Sequence, residues 1–175
     1  SLSFGQSETP SQVVFKNVNV FDGTNNELMK DQDVLIEKNL IKQIGQNIKA
    51  PQGALVIEGE GRTLMPGLSD THVHITWTTL PQGAFLTALP EYNAIHSTVD
   101  AKNMLMRGFT SVRDMGGASF GLKQAIDQDL IPGPRIYPSG GPLSQTAGHG
   151  DFRFPNQTHP RFGGEIPEIY KGGAG

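Results

Sequence analysis

Two histidines, His72 and His74, stand two positions apart at the end of a short apolar run. Successive side chains of a β-strand point to opposite faces, so both imidazoles are predicted to emerge on the same side. Imidazole is a common zinc ligand, and a catalytic zinc site typically takes three protein ligands and a water. The pair is therefore a candidate for half of the divalent metal site of a hydrolase.

The residues around this pair have the pattern of a buried strand with a polar end. Pro66 and Gly67 mark the entry, and Val73 and Ile75 are predicted to lie on the apolar face opposite the histidines. Asp70 shares the histidines' face and is a candidate acceptor that orients a metal-bound imidazole. The alternative for Asp70 is a structural carboxylate that closes the turn at the strand entry.

The stretch 66–74 resembles the Pro-Gly-hydrophobic-x-Asp-x-His-x-His signature on the first barrel strand of the amidohydrolase superfamily. Segments 110–117 and 148–151 look like the second- and third-strand motifs of its imidazolonepropionase-like branch. That branch includes Xaa-Pro dipeptidase-like and Arg/Lys carboxypeptidase-like enzymes. The resemblance runs from about residue 13 onward and implies the N-terminal portion of such an enzyme.

The resemblance implies one or two divalent ions, most often zinc, with His72 and His74 binding the more buried ion. It implies metal-assisted hydrolysis of an amide C–N bond, best matched by a dipeptide-like substrate, with a cyclic amide or amidine as the alternative. A histidine at the position of His149 helps to hold or polarise the substrate carbonyl in that branch. A loop histidine that bonds its own backbone is the alternative for His149.

Asp114 ends a predicted strand and lies beside Arg113 in the sequence. It is either an active-site carboxylate near the metal ligands or one half of a buried Arg–Asp pair. The roles of Trp77 and Asp151 are left open. Two further histidines, one in a helix pattern and one in a Pro-rich loop, are not expected to belong to the site: His96 and His159.

Four short strands with turn residues between them predict a small β domain over residues 12–65, after a flexible tail at 1–11. Their close spacing favours an antiparallel β-sandwich, which a segment beyond the C-terminus would complete. The predicted strands are 13–21, 33–37, 40–44 and 54–58, the second and third forming a hairpin through Lys38 and Asn39.

From residue 66 the pattern alternates between strands and helices, which is typical of a parallel sheet in an α/β fold. Helices are predicted at 91–107 and 122–130, and strands at 109–114 and 135–138. The predicted architecture is the first three β/α units of a TIM-like (β/α)8 barrel over residues 66–175. Active sites of such barrels lie at the C-terminal ends of the strands.

Composition excludes several classes of function. The net charge is −3 and there is no basic stripe, so no nucleic-acid partner is expected. No apolar run approaches the roughly 18 residues that predict a membrane span. The absence of cysteine removes disulfides and thiolate ligands. We expect a soluble protein and leave open whether it is cytoplasmic or exported, for example periplasmic.

Length argues against a complete barrel, which takes about 250 residues, since only 110 follow Met65. The resemblance places the other metal ligands, and the aspartate that serves as general base, on later strands, so no catalytic residue is assignable here. We therefore expect an incomplete enzyme whose sheet edge is covered by a missing C-terminal half or by a homo-oligomer partner. A non-catalytic fragment that needs a partner is the alternative.

Overall fold

A computed structural model describes residues 10–81, 83–142, 144–145, 148–153 and 156–158, without the side chains of 85 and 86. The described chain divides into two compact units, Ser1–Pro66 and Gly67–Gly175. The predicted N-terminal tail and Gly-rich C-terminal end lie almost wholly outside the described residues.

The first unit contains one five-stranded sheet in the described part of the chain, with β1 at its centre. β2 and β3 form the predicted antiparallel hairpin, and Lys38 at its turn adopts a positive φ of 55°. Three buried valines form its core: Val18, Val20 and Val34. The strands are β1 (Gln12–Val20), β2 (Met29–Glu37), β3 (Leu40–Gly45), β4 (Leu55–Glu58) and β5 (Thr63–Leu64).

The prediction that this sheet is antiparallel throughout is wrong, because β4 and β5 both run parallel to β1. The nine residues 46–54 are too long for a tight hairpin and carry the chain from β3 to the far side of β1. A connection that crosses the sheet in this way brings the next strand in parallel. A second layer, which a sandwich requires, stays a prediction.

Asp33 is a buried carboxylate that ties this unit together. It accepts hydrogen bonds from the Asn17 amide at 3.0 Å and from the Ile48 amide at 2.9 Å, and it pairs with the Lys16 ammonium. Burial by itself raises the pKa of Asp33, but the hydrogen bonds from Lys16 and the two amides outweigh it and hold the pKa below its usual value.

The second unit contains the predicted parallel sheet, with strands in the order β6-β7-β8. The predicted helices α2 and α3 are present, while the four-residue α1 was not predicted because it is too short to show a period. The elements are β6 (Leu68–Val73), α1 (Ala84–Thr87), α2 (Pro90–Met106), β7 (Phe109–Asp114), α3 (Phe120–Asp127) and β8 (Arg135–Pro138).

One face of this sheet packs against the two longer helices. The core joins a buried aliphatic residue from each strand to Ala101 and Met104 of α2 and Leu122 of α3. The strand residues in this core are Val73, Val112 and Ile136. Each such side chain stabilises the fold by about 2 kcal/mol through burial. The two longer helices thus form the scaffold that supports the sheet.

Glycine is required at position 67 by the close pairing of β6 with β7 rather than by a turn. A Cβ at this position would lie 2.1 Å from Oγ1 of Thr110 on the neighbouring strand. The Leu68 amide donates to the Gly108 carbonyl oxygen at 2.8 Å, which brings the two strands together here. Any side chain at Gly67 would therefore push β6 away from β7.

No helix in the described residues is both long and apolar enough to cross a membrane.

Candidate metal centre

His72 and His74 lie side by side, as strand alternation predicts. Their ring centroids are 5.6 Å apart, with the planes nearly perpendicular at 80°. β6 ends at Val73, so His74 is the first residue beyond the strand. The pairing of β6 with β7 is irregular between Asp70 and Val73. The rigid strand therefore positions His72, and contacts beyond the strand must position His74.

His74 is held at one edge and on one face of its ring. Its Nδ1 lies 3.0 Å from the carbonyl oxygen of Gly116, and its ring stacks on Trp77 at 4.6 Å with an interplanar angle of 14°. A carbonyl oxygen only accepts, so the neutral ring bonds it through a proton on Nδ1. Nε2 then carries the lone pair that a metal ion needs.

Two glycines after β7 make room for this arrangement. A Cβ on Gly116 would lie 3.4 Å from Cε1 of His74. Gly117 has a positive φ of 139°, and a Cβ there would lie 2.8 Å from Oγ1 of Thr76 and 2.9 Å from Nε1 of Trp77. The Gly-Gly pair of the second motif therefore allows close approach of the segment that follows β6.

Asp114 is fully buried at the end of β7. Its Oδ1 accepts a hydrogen bond from the Gly116 amide at 3.0 Å, while its Oδ2 has no hydrogen-bond partner. Burial raises the pKa of Asp114, and the hydrogen bond from Gly116 opposes that shift. The carboxyl group thus bonds the amide of the same residue whose carbonyl holds His74.

The alternative of a buried Arg113–Asp114 pair is wrong. Arg113 is exposed, and its Nε donates to the carbonyl oxygen of Thr71 at 2.7 Å. Adjacent residues of a strand point to opposite faces, which keeps the two side chains apart.

Asp70 bonds locally. Its Oδ1 accepts from the backbone amide of His72 at 3.0 Å, and among the described side chains none of its contacts is with an imidazole. This hydrogen bond fits the alternative interpretation of Asp70 as a structural carboxylate. A role in orienting a metal ligand stays a prediction for this residue.

The segment 148–153 carries His149 in an exposed turn, which the Asp151 amide closes by donating to the Gly148 carbonyl oxygen at 3.0 Å. Asp151, whose role was left open, pairs with Arg153 through an Nε–Oδ1 hydrogen bond of 2.7 Å. The imidazole of His149 is exposed, and its role toward substrate stays a prediction.

Phe152 links the segment 148–153 to His74 through the ring of Trp77. Its ring meets Trp77 edge-on at 5.8 Å and 88°, and Trp77 in turn stacks on His74. Sequence reasoning named Trp77 without a role and did not name Phe152. An aromatic residue one position after a polar Gly-His-Gly-Asp motif was the only signal available.

The two remaining histidines were not expected at the site. His96 lies on α2, with its Nδ1 3.4 Å from the buried carboxylate of Asp100. Asp100 also accepts from the Thr79 hydroxyl at 2.5 Å, so this cluster ties the helix to the segment after β6. His159 lies outside the described residues.

The donor set fits part of a metal centre. Two adjacent imidazoles, one with Nε2 left as the free nitrogen, suit zinc and similar divalent ions. Among the described residues no group of three His, Cys, Asp or Glu side chains is placed to hold an ion.

Comparison with known proteins decides the family. A model of the amidohydrolase family matches residues 63–169, which contain the histidine pair and all three strands of the parallel sheet. The chain belongs to the amidohydrolase family. The resemblance seen in the sequence motifs is thereby confirmed.

Relatives within the amidohydrolase family match much of this chain but are far longer. Ochratoxinase of Aspergillus niger is 32% identical over 132 residues, covering 72% of this chain and 28% of that protein. A prolidase crystallised with N-methylphosphonate-L-proline is 39% identical, with a TM-score of 0.73, covering 85% of this chain and 36% of that one. An Xaa-Pro dipeptidase with bound methionine is 27% identical, with a TM-score of 0.68 and coverages of 81% and 36%. The chain therefore spans about a third of these amidohydrolases.

Proposed function

We propose that this chain is the front part of a metal-dependent amidohydrolase that cleaves the amide C–N bond of a dipeptide-like substrate with an activated water. The arrangement of His74 carries the proposal: its Nδ1 bonds the Gly116 carbonyl, and its ring lies beside that of His72. The likeness to a prolidase and an Xaa-Pro dipeptidase supports the choice of substrate class.

His72 and His74 would hold the ion, for which zinc is the proposed identity and one or two the proposed number. A bound divalent ion would supply a water whose pKa is lowered toward about 7, together with polarisation of the scissile carbonyl. Trp77 covers one face of the His74 ring and keeps solvent from it. His149, exposed on its turn, would donate a hydrogen bond to the substrate carbonyl oxygen.

The rest of the centre would come from a remainder of the protein beyond these residues. Two imidazoles leave a tetrahedral site short of at least one protein ligand, and a general base is not assignable in this chain. We propose a missing C-terminal half as the source of both, rather than a second copy of this chain. The coverage of 36% of two solved relatives supports that choice.

The test is the intact mass and metal content of the protein purified from its native source. We expect a mass well above the 18.9 kDa of this chain, bound zinc, and hydrolysis of Xaa-Pro dipeptides in preference to cyclic amides. The variant His74→Ala should lose metal and activity, while His96→Ala, the matched control, should keep both. A mass of 18.9 kDa with no metal bound through His72 and His74 would overturn the proposal.

A further inference from the structure

The carbonyl group that holds His74 is itself held from two directions. Asp114 Oδ1 accepts from the Gly116 amide at 3.0 Å, which fixes the peptide before Gly116. The Gly117 amide donates to the carbonyl oxygen of Gly140 at 3.1 Å, which fixes the peptide after it. The Gly116 carbonyl belongs to that second peptide, so its direction is set by both hydrogen bonds.

Glycine has the widest backbone freedom of any residue, so the turn at Gly116 and Gly117 needs such restraints to keep one conformation. The Asp114 carboxyl group is fully buried, and a buried carboxyl is costly unless its hydrogen bonds repay that cost. Its Oδ1 accepts from the Gly116 amide, in a turn that the Asp114 side chain itself closes.

We propose that Asp114 is a positioning residue for His74, acting through Gly116. By fixing the Gly116 carbonyl, it keeps the proton of the neutral imidazole on Nδ1 and presents Nε2 toward His72 and the ion. Trp77 restricts the same ring by stacking on its face. The assignment of an ion to His74 rests on the proposed function, but the control of its tautomer does not require a metal.

The first test is the tautomer of His74 in the metal-free 175-residue chain. Nitrogen-15 NMR in mildly alkaline buffer, where a free imidazole is neutral, distinguishes a protonated Nδ1 from a protonated Nε2. The His74 signals are assigned by their loss in His74→Gln. We expect the proton on Nδ1 in the unaltered chain, and a proton mainly on Nε2 would overturn the proposal without any further variant.

Variants of Asp114 then test its part in this arrangement. Asp114→Leu keeps the shape and removes the acceptor, so both tautomers of His74 should be populated; Asp114→Asn keeps an acceptor oxygen and should retain Nδ1–H. Asp100→Asn is the matched control, since Asp100 is equally buried in the same unit but bonds Thr79 instead. A folded Asp114→Leu chain with an unchanged tautomer would contradict the proposal, and Asp114→Ala replaces it if the leucine variant does not fold.

Zinc affinity supplies an independent readout. The chain has a single tryptophan, Trp77, and its ring stacks on His74, so its fluorescence reports ions that bind there. We expect Asp114→Leu to weaken Zn²⁺ binding about ten- to a hundredfold, as loss of a group that orients a metal ligand does, and Asp114→Asn to weaken it much less.

The two proposals fail separately. If zinc binds through His72 and His74 but the tautomer of His74 does not depend on Asp114, the positioning role is wrong and the proposed function stands. If the tautomer depends on Asp114 but no zinc binds even to the full-length protein, the positioning role stands and the proposed function falls.

Discussion

At the scale of single residues, the two buried carboxylates Asp33 and Asp114 have opposite pKa shifts. Asp33 accepts hydrogen bonds from two backbone amides and from a lysine ammonium, so its charged form is stabilised. Asp114 is fully buried, and the hydrogen bond from the Gly116 amide does not outweigh that burial, so its charged form is disfavoured. The Lys16 ammonium and two amides outweigh burial at Asp33 and lower its pKa, whereas burial dominates at Asp114 and raises its pKa.

Removing the Asp33 carboxylate should destabilise the first unit. Asp33→Ala leaves two backbone amides and the Lys16 ammonium without their acceptor, which costs about 3 kcal/mol. Denaturant unfolding followed by circular dichroism measures the loss. The exposed Glu58→Ala change on β4 of the same sheet is the control and should cost less than about 0.5 kcal/mol. Equal effects of the two substitutions would contradict the assigned role of Asp33.

The lowered pKa of Asp33 also predicts an acid-sensitive sheet. Its folded pKa lies below the unfolded value of about 3.9, so its contribution is complete well above that value and is lost as pH falls through the folded pKa. The protection of β2 amides from hydrogen exchange, taken relative to the intrinsic exchange rate at each pH, should therefore fall below about pH 4. The variant Asp33→Asn cannot titrate and should show a flatter pH dependence; the same slope in both proteins would contradict this.

At the scale of elements, the approach of β6 to β7 depends on the lack of a side chain at Gly67. Gly67→Ala would place a methyl group against the Thr110 side chain, and we expect a loss of about 2 kcal/mol in stability. Thermal unfolding measures it, and a second change, Thr110→Ala, should restore part of the loss.

The matched control for that substitution is Gly121→Ala in α3. A Cβ at Gly121 meets nothing within 4 Å, and alanine favours a helix, so the expected change is a gain of up to about 1 kcal/mol. A Gly67→Ala chain as stable as the unaltered one would show that the two strands are not held as closely as described.

At the scale of the whole molecule, one helix leaves apolar side chains uncovered. α2 buries Ser97, Asp100, Ala101 and Met104 but exposes an apolar stripe on its other side. The stripe consists of Tyr92, Ile95, Val99 and Met106. Their spacing places them on one helical face, and an apolar face of this kind is usually packed against other protein surface.

We expect the isolated chain to bind a hydrophobic dye at this stripe. Ile95 is 68% exposed and contributes nothing to the described core, so Ile95→Lys should lower dye fluorescence without lowering the unfolding temperature. Ala101→Lys, on the buried side of the same helix, is the contrasting control and should unfold the chain. Unchanged dye binding in Ile95→Lys would mean that the stripe is not the exposed surface being detected.

Part of this architecture could be predicted because its causes are local. The alternation of Val112 and Asp114 with Arg113, and the periods of α2 and α3, specify strand and helix within a few residues of sequence. The fold of the parallel sheet was predicted from that alternation. The parallel pairing of β4 with β1 was not predicted, since no residue near Leu55 indicates which strand β4 will pair with.

The sequence by itself determined which residues are candidate metal ligands, that His72 and His74 share one side, and to which family the motifs belong. Only the tertiary structure decided that the Gly116 carbonyl meets Nδ1 of His74 across 42 positions and that Phe152 reaches Trp77. Those contacts join segments distant in the chain. Strand periodicity reports the direction of a side chain, whereas its partner is set by how the strands pair and where their connections run.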